Sequence, residues 1–550
     1  MTTTSSLGGI LNIARQGLFG SQVGIQTAGQ NISNVNTPGY TRQRVIYDPG
    51  AFSNGVQVQT IQQVRNRFLD SQLAAEKVTL GLATARSTVL SQLEMIFNES
   101  DGFGISTSLS EFFASLQDLS AQPDGSGQRE ALRSRVVALG QAFTSVRTRV
   151  EQTRTAADDQ VKSVISEVNI LTSEIASLNA LIIQQTTVSQ EPNELLDQRQ
   201  RAIEELSQLV EITYFEDHGQ LTVLLSGEQV LVEGSGHSTL RAQVNLRNEG
   251  MSDVILERFD GVSFDITDRV VNGELGGLLE MRDTVIPNQL RQIDLLAAQF
   301  VTELNIQHRQ GRGLDGVGNR DLFGQVEVVG RADEDNAGGV LQTGQAILDQ
   351  SLLTFHDYEI QFTGAGTYDL VDATTGTVLS TGNVYTPGGS IVFDGLSITL
   401  DSMAGAPVAG DVIHVNTYEG MAGQVELSAA VAADLQAIAA GLTAEPGDNA
   451  NALAMADLEN ALVLGGGTMT FGDLYGMQIT TLGVESQRAE RELETQQLVV
   501  DQVSSLVASV SGVSLDEEST SLIQFERAYQ ASSQVIAVVD ELLQTLLSIV

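Results

Sequence analysis

At 550 residues with 42% apolar side chains, the chain is too long for one core and too apolar for wholesale disorder, so about three or four domains are expected. Its 69 acidic residues against 29 basic ones leave a formal net charge of -40, which repels phosphate backbones and anionic lipid, so no nucleic-acid partner is expected. The lack of cysteine excludes disulfides, thiolate metal sites and cysteine nucleophiles.

The first ten residues show no basic patch ahead of an apolar core, so no cleaved secretory signal is expected. No uninterrupted apolar run approaches the roughly 18 residues of a membrane helix, so no membrane insertion is expected either. Behind a polar head, Leu7, Leu11, Ala14, Leu18, Ser21, Ile25, Ala28, Ile32 and Val35 follow alternating four- and three-residue steps. That spacing predicts a helix with a heptad seam. The seam stops at Asn36-Thr37-Pro38-Gly39, where proline bars the helix and glycine accepts a turn.

Residues about 57–97 read as helix-rich, and Gln122-Pro123-Asp124-Gly125 separates them from a longer helical stretch at about 128–188. There Ala157, Val161, Val164, Val168, Leu171, Ile175, Leu178 and Ile182 form another heptad run. Residues 193–210, 274–309 and 479–510 also read as helices, which together predict a long bundle. Leu221 to Glu233 alternates as two strands around Ser226-Gly227. From about 319 to 419 the chain is rich in Gly, Thr and Val, with a hairpin expected at Ser390–Leu400 about Asp394-Gly395.

The last segment repeats the first. Leu522, Phe525, Tyr529, Ser532, Ile536, Val539, Leu543, Leu546 and Val550 form one row, with Ala528, Val535, Leu542 and Ile549 beside it. An apolar face this wide implies more than one neighbouring helix. Charge matches across the ends: Arg15, Arg42 and Arg44 stand against Asp516, Glu517, Glu518, Glu526, Asp540 and Glu541.

The fold class expected is multidomain α+β. Residues 1–45 plus 514–550 make a coiled-coil-like terminal domain. Residues 46–210, 274–318 and 420–513 make the helical bundle, 211–273 a β-rich segment attached to it, and 319–419 an inserted mainly-β outer domain. No catalytic constellation accompanies this plan. His218, His237, His308, His356 and His414 show no two-histidine helical spacing and read as isolated surface or turn residues. Neither Lys77 nor Lys162 sits in a P-loop, and Asp315, Asn319 and Asp321 lack the glycine and final glutamate of a calcium loop. No enzyme, metal or cofactor is expected.

The stretch Asn31-Ile32-Ser33-Asn34-Val35-Asn36-Thr37-Pro38-Gly39-Tyr40 resembles the N-terminal signature of bacterial flagellar axial proteins, which comprise rod, hook and hook-associated proteins. Ser514–Glu518 and Ile523–Ser532 are similar to the C-terminal hallmark of that class. Glu191–Arg199, Gly276–Asp283 with Gln307-His308, and Asn449–Leu458 resemble the first hook–filament junction family, hook-associated protein 1.

The resemblance implies a homo-oligomeric ring on the hook, with hook protein below and the next junction protein and filament above. It also implies export without signal cleavage through the type III apparatus, with a chaperone on the C-terminal helix. The assembly interface is expected at Leu7, Leu11, Leu18, Ile25, Ile32 and Val35, facing Phe525, Tyr529, Ile536, Val539, Leu543, Leu546 and Val550. The turn motif is Asn31, Asn34, Asn36, Thr37, Pro38, Gly39 and Tyr40. In it, Asn34 and Asn36 would satisfy backbone groups, and Tyr40 would dock the chain onto the next layer. A hook or distal rod protein, or an adhesin-like role for the β insert, are the alternatives.

Overall fold

A computed structural model of the chain describes residues 7–48, 55–98, 104–187, 192–217, 219–333 and 335–549. Helix α1 (Leu7–Ser33) gives way at the Pro38-Gly39 turn to an antiparallel ribbon, β1 (Gln43–Asp48) and β2 (Gln57–Gln63). Residues 57–63, expected to be helical, are therefore a strand. Their apolar residues, Val58 and Ile61, are too few among glutamines to show a strand alternation, and the pairing of Val45 with Ile61 decides it. Helix α2 (Arg67–Phe97) starts only after Asn66, whose side chain accepts from the Phe68 N–H.

The bundle continues with α3 (Ile105–Ala121), the 62-residue α4 (Ser126–Thr187) and α5 (Asn193–Leu209). A four-stranded meander follows: β3 (Ile212–Asp217), β4 (Gln220–Leu225), β5 (Gln229–Glu233) and β6 (Gly236–His237). Next come three strands, β7 (Thr239–Val244), β8 (Ser252–Glu257) and β9 (Ser263–Asp265). Both sheets send side chains, Val223 and Leu256 among them, into the same core as α4 and its heptad run. Helices α6 (Gly273–Glu280) and α7 (Ile286–Gln310) are joined by one π-helical turn at Met281–Val285.

The insert carries β10 (Val329–Ala332), β11 (Leu341–Ile347), β12 (Tyr358–Gly364), β13 (Thr367–Asp372), β14 (Thr377–Val384), β15 (Ser390–Phe393), β16 (Leu396–Asp401) and β17 (Val412–Asn416). They form a five-stranded sheet in the order β10-β17-β12-β13-β14 and a three-stranded sheet β11-β16-β15. Tyr358, Ile360, Phe362, Ile398, Leu400 and Ile413 give this unit a core of its own. Helices α8 (Ala429–Ala433), α9 (Ala450–Asp457), α10 (Phe471–Ser511) and α11 (Leu515–Ile549) complete the chain. At the bundle's centre the Phe300 ring meets Phe112, Phe323 and Phe471 edge-on, at 5.3, 5.4 and 5.4 Å.

Two internal motifs act as buried polar welds. Arg282 is fully buried and donates to Asp158 Oδ1 at 2.7 Å, to the Ser252 carbonyl at 2.7 Å and to both Asp283 oxygens. It ties the π turn to α4 and β8. Burial pushes the Asp158 carboxyl up, but Lys162, the Ser252 N–H and Arg282 outweigh it and hold it below its ordinary value. Arg282→Leu removes the buried guanidinium from Asp158, and the expected loss is about 3–5 kcal/mol of bundle stability in denaturant titrations.

His308 is also fully buried, which corrects its reading as a surface or turn histidine. Its Nε2 accepts from the Ala439 N–H at 2.9 Å, so Nδ1 carries the proton and donates to the Arg320 carbonyl at 2.7 Å. Asn451 of α9 donates to the Ala439 carbonyl beside it at 2.7 Å. Burial lowers the His308 pKa below its ordinary 6.5. The unfolded imidazole thus takes up a proton that the folded one refuses, and the stability this neutral imidazole provides is present above pH 6.5 and is lost as pH falls below it. The stability difference between the wild type and His308→Gln should accordingly shrink from pH 7.5 toward pH 5.5. His356 and His414 instead pair with Asp372 and Asp333, while Asp315 and Asp321 are held by Arg320 and Arg309.

Candidate assembly interface

Helices α1 and α11 lie against each other and run antiparallel. The register is visible at three levels, Gly17 opposite Ser532, Gly24 opposite Phe525 and Asn31 opposite Glu518, one heptad apart on both helices. Small residues make this approach possible. A Cβ at Gly24 would sit 2.6 Å from the Phe525 ring. Along α1 the buried positions are Ala14, Gly20, Ser21, Gly24, Thr27, Ala28 and Asn31.

The expected interface residues are therefore displaced from the seam inside the chain. Leu7, Leu18, Ile25, Ile32 and Val35 are half-buried on its flank, and Leu11 is exposed. The cause is geometric: helices that approach this closely need small side chains between them, and the leucines and isoleucines turn to the sides. On α11, Val539 is buried and Leu522, Phe525, Ser532 and Ile536 are half-buried, whereas Tyr529 and Leu543 are exposed. The second row stays uncovered, with Val535 41% and Leu542 49% exposed and Val538 beside them at 55%. The Leu546 side chain and Val550 lie outside the described residues.

The helical stretch from Phe471 to Thr545 contains a window of mean hydropathy 1.5, by length and composition apolar enough to cross a membrane, with only 17% of it buried. The window falls at the C-terminal end of α10, Leu498–Leu515, where Leu498, Leu506, Val510 and Leu515 are exposed while Val500 and Val503 are buried. It is not an uninterrupted apolar run, since Asp501, Gln502 and several serines fall within it.

The turn motif closes the helix pair. Asn31 is 1% exposed and uses all its hydrogen-bonding capacity. Its Nδ2 donates to the Gln43 carbonyl at 2.9 Å and to Glu518 Oε2 at 3.0 Å. Its Oδ1 accepts from the Tyr40 hydroxyl at 2.9 Å and the Gln43 N–H at 3.0 Å. Tyr40 thus folds back onto α1; burial, with Asp197 and Glu518 nearby, pushes its pKa up to about 12. Asn34 donates to the Gln30 carbonyl at 2.9 Å and accepts from Thr37. Asn36 and Pro38 are exposed, and Gly39 has φ 74°, a left-handed turn open to glycine.

Residues outside the expected set finish the clamp. Arg42 donates to Glu518 and Glu517, both at 2.7 Å, and its backbone N–H reaches the Ser511 carbonyl at the end of α10. Those carboxylates also lie in the first turn of α11, where the helix dipole favours them. Thr41 donates through its hydroxyl to Asp197 Oδ1 at 2.6 Å, and Gln63 joins at 2.8 Å. Asn193 returns a bond to the Ile61 carbonyl at 2.9 Å. So α5, from the Glu191–Arg199 motif, fastens the terminal helices to the bundle. The opposite charge of the two chain ends was the sequence signal for Arg42 and Glu518; Asp197 lies in the Glu191–Arg199 motif, and Thr41 had no signal.

Comparison with known proteins agrees with this geometry. Residues 507–549 match the family model "Flagellar basal body rod FlgEFG protein C-terminal". The C-terminal helix of the antiparallel terminal pair is thus similar to that of bacterial flagellar rod proteins. Residues 90–323 match "Flagellar hook-associated protein FlgK helical domain". The chain is similar to flagellar hook-associated protein 1 of Salmonella typhimurium, 28% identical over 560 residues, covering 98% of this chain and 99% of the relative. The Escherichia coli protein of that name is 28% identical over 554 residues, with the same coverage, and the Bacillus subtilis one 25% over 563, covering 98% of this chain and 97% of the relative. The solved structure of the flagellar hook junction protein FlgK from Burkholderia pseudomallei shares the fold, with TM-score 0.68 and 21% identity, over 80% of this chain and all of that one. Over nearly its whole length the chain is thus similar to flagellar hook-associated protein 1.

Asn31→Ala would orphan the Gln43 and Tyr40 groups and leave Glu518 with Arg42 alone. A loss of about 2 kcal/mol is expected, confined to the helix pair. Limited proteolysis within residues 7–33 should accelerate about thirtyfold while the denaturation midpoint of the bundle stays put.

Proposed function

We propose that the chain builds the junction between hook and filament as a ring of identical subunits, held by apolar rows of the terminal helices that one subunit alone cannot cover. The observation that carries this reading is the uncovered row of α11 at Val535, Val538 and Leu542, on a helix already paired with α1. A repeated head-to-tail contact of that kind closes into a ring or winds into a helix. The full-length relatives named hook-associated protein 1 support the place of that ring at the junction rather than in the rod or the hook shaft.

Hook protein then lies below, and the next junction protein and filament above. The chain reaches this place through the flagellar export route with its N-terminus intact, and a chaperone covers α11 until assembly. A helix with an unpartnered apolar row is marginal in water, which gives such a chaperone its physical purpose. The part is mechanical, with no catalytic step.

Val535→Asp with Leu542→Asp puts charges on the uncovered row only. The purified variant should melt as the wild type does, while cells producing it shed unattached flagellin and carry bare hooks in electron micrographs. Substitutions at the exposed Gln544 and Thr545 should leave filaments in place. Normal filaments on cells with the double variant would refute the reading.

A further inference from the structure

The two longest stretches without Asp, Glu, Lys, Arg or His are residues 16–41 and 373–393. The first contains most of α1 and its closing turn. The second, 21 residues in a chain that is 18% charged, runs through β14 and β15 of the outer β unit. Both strands are sheet edges, β14 of the five-stranded sheet and β15 of the three-stranded one. Every side chain of β14 is at least partly exposed, with Val378 at 54% and Val384 at 78%, and Val392 of β15 stands at 60%.

Edge strands are ordinarily guarded by lysines, inward charges, proline or bulges, because their unpaired backbone groups invite another strand. Here two register slips against β13 interrupt the edge, but no charge guards it. Exposed branched aliphatics beside free backbone groups are what strand-edge docking uses.

Charge indicates the occupant. Two copies at -40 each repel wherever carboxylates face one another within a Debye length, about 8 Å at physiological salt. A basic partner would be drawn to the acidic remainder of the surface and would gain nothing from a neutral strip. A neutral apolar edge is where a like-charged copy can come into contact.

We infer that the uncharged edges of β14 and β15, one on each sheet of the outer β unit, make a lateral contact with the outer β unit of a neighbouring copy, a second interface remote in sequence from the terminal helices. This inference rests on the ring reading above, and the test separates the two. A photo-crosslinking amino acid is placed at Val384 in the full-length chain and irradiated in intact flagella, with a second strain carrying it at Val535 on α11. The expected product from Val384 is a homodimer at twice 58.6 kDa, containing peptides of this chain alone. That product should vanish when Val378→Glu is added, since a carboxylate there is exposed in the free chain and repelled in the contact.

A Val384 product containing any other protein overturns the inference. So does no product from Val384 while Val535 yields the homodimer, and in both cases the ring reading stands. No homodimer from either position overturns the ring reading, and the inference with it.

Discussion

The structure depends on one buried side chain amide. Asn31 spends two donor hydrogens and two lone pairs on three different parts of the chain: its own turn through Tyr40, the first strand through Gln43, and the C-terminal helix through Glu518. A buried amide so fully engaged tolerates no slippage, because any shift leaves polar groups without partners in a dry site. It therefore fixes the rotation and register of α11 against α1. That register decides which side of α11 is covered and which is left exposed. The Thr41–Asp197 and Arg42–Ser511 bonds carry the same constraint on to α5 and α10.

The energetics follow from side-chain size. Glycine, alanine and serine in the α1 seam let the helices approach closely but bury little apolar area, so the pair gains only modest stability within one chain. The larger residues, held on the flanks and on the second row of α11, keep their contribution in reserve. Fully burying a valine or leucine is worth about 1.5–3 kcal/mol, and several such residues recur in every subunit. In the proposed ring the acidic surface would oppose this attraction at long range and keep free chains apart until the apolar rows meet.

Much of this was legible in the sequence. The heptad run from Ala157 to Ile182 is buried throughout α4, and the Asp394-Gly395 hairpin lies between β15 and β16, because strong periodicity and turn chemistry are local signals. The terminal rows were recognisable as apolar faces, yet the choice of small residues for the inner seam was not, since periodicity counts apolar positions and ignores how closely two helices approach. The strand at 57–63 escaped notice because its partner, 43–48, supplies the pairing that its own glutamine-rich sequence does not announce. His308 and Asp197 lie in motifs that stood out, but their roles were hidden because their partners Ala439 and Thr41 are distant in sequence and engage through a backbone N–H and a hydroxyl.

The central claim is that α11 presents one side to α1 within the chain and the other to a neighbouring subunit. Amide hydrogen exchange, compared between the free chain and the chain in isolated hook–filament junctions, tests it most directly. The account predicts that protection across Leu515–Thr545 rises by orders of magnitude on assembly, while the α4 core is unchanged because its stability is internal. Equal protection of α11 in both states, or a rise confined to the bundle, would contradict it.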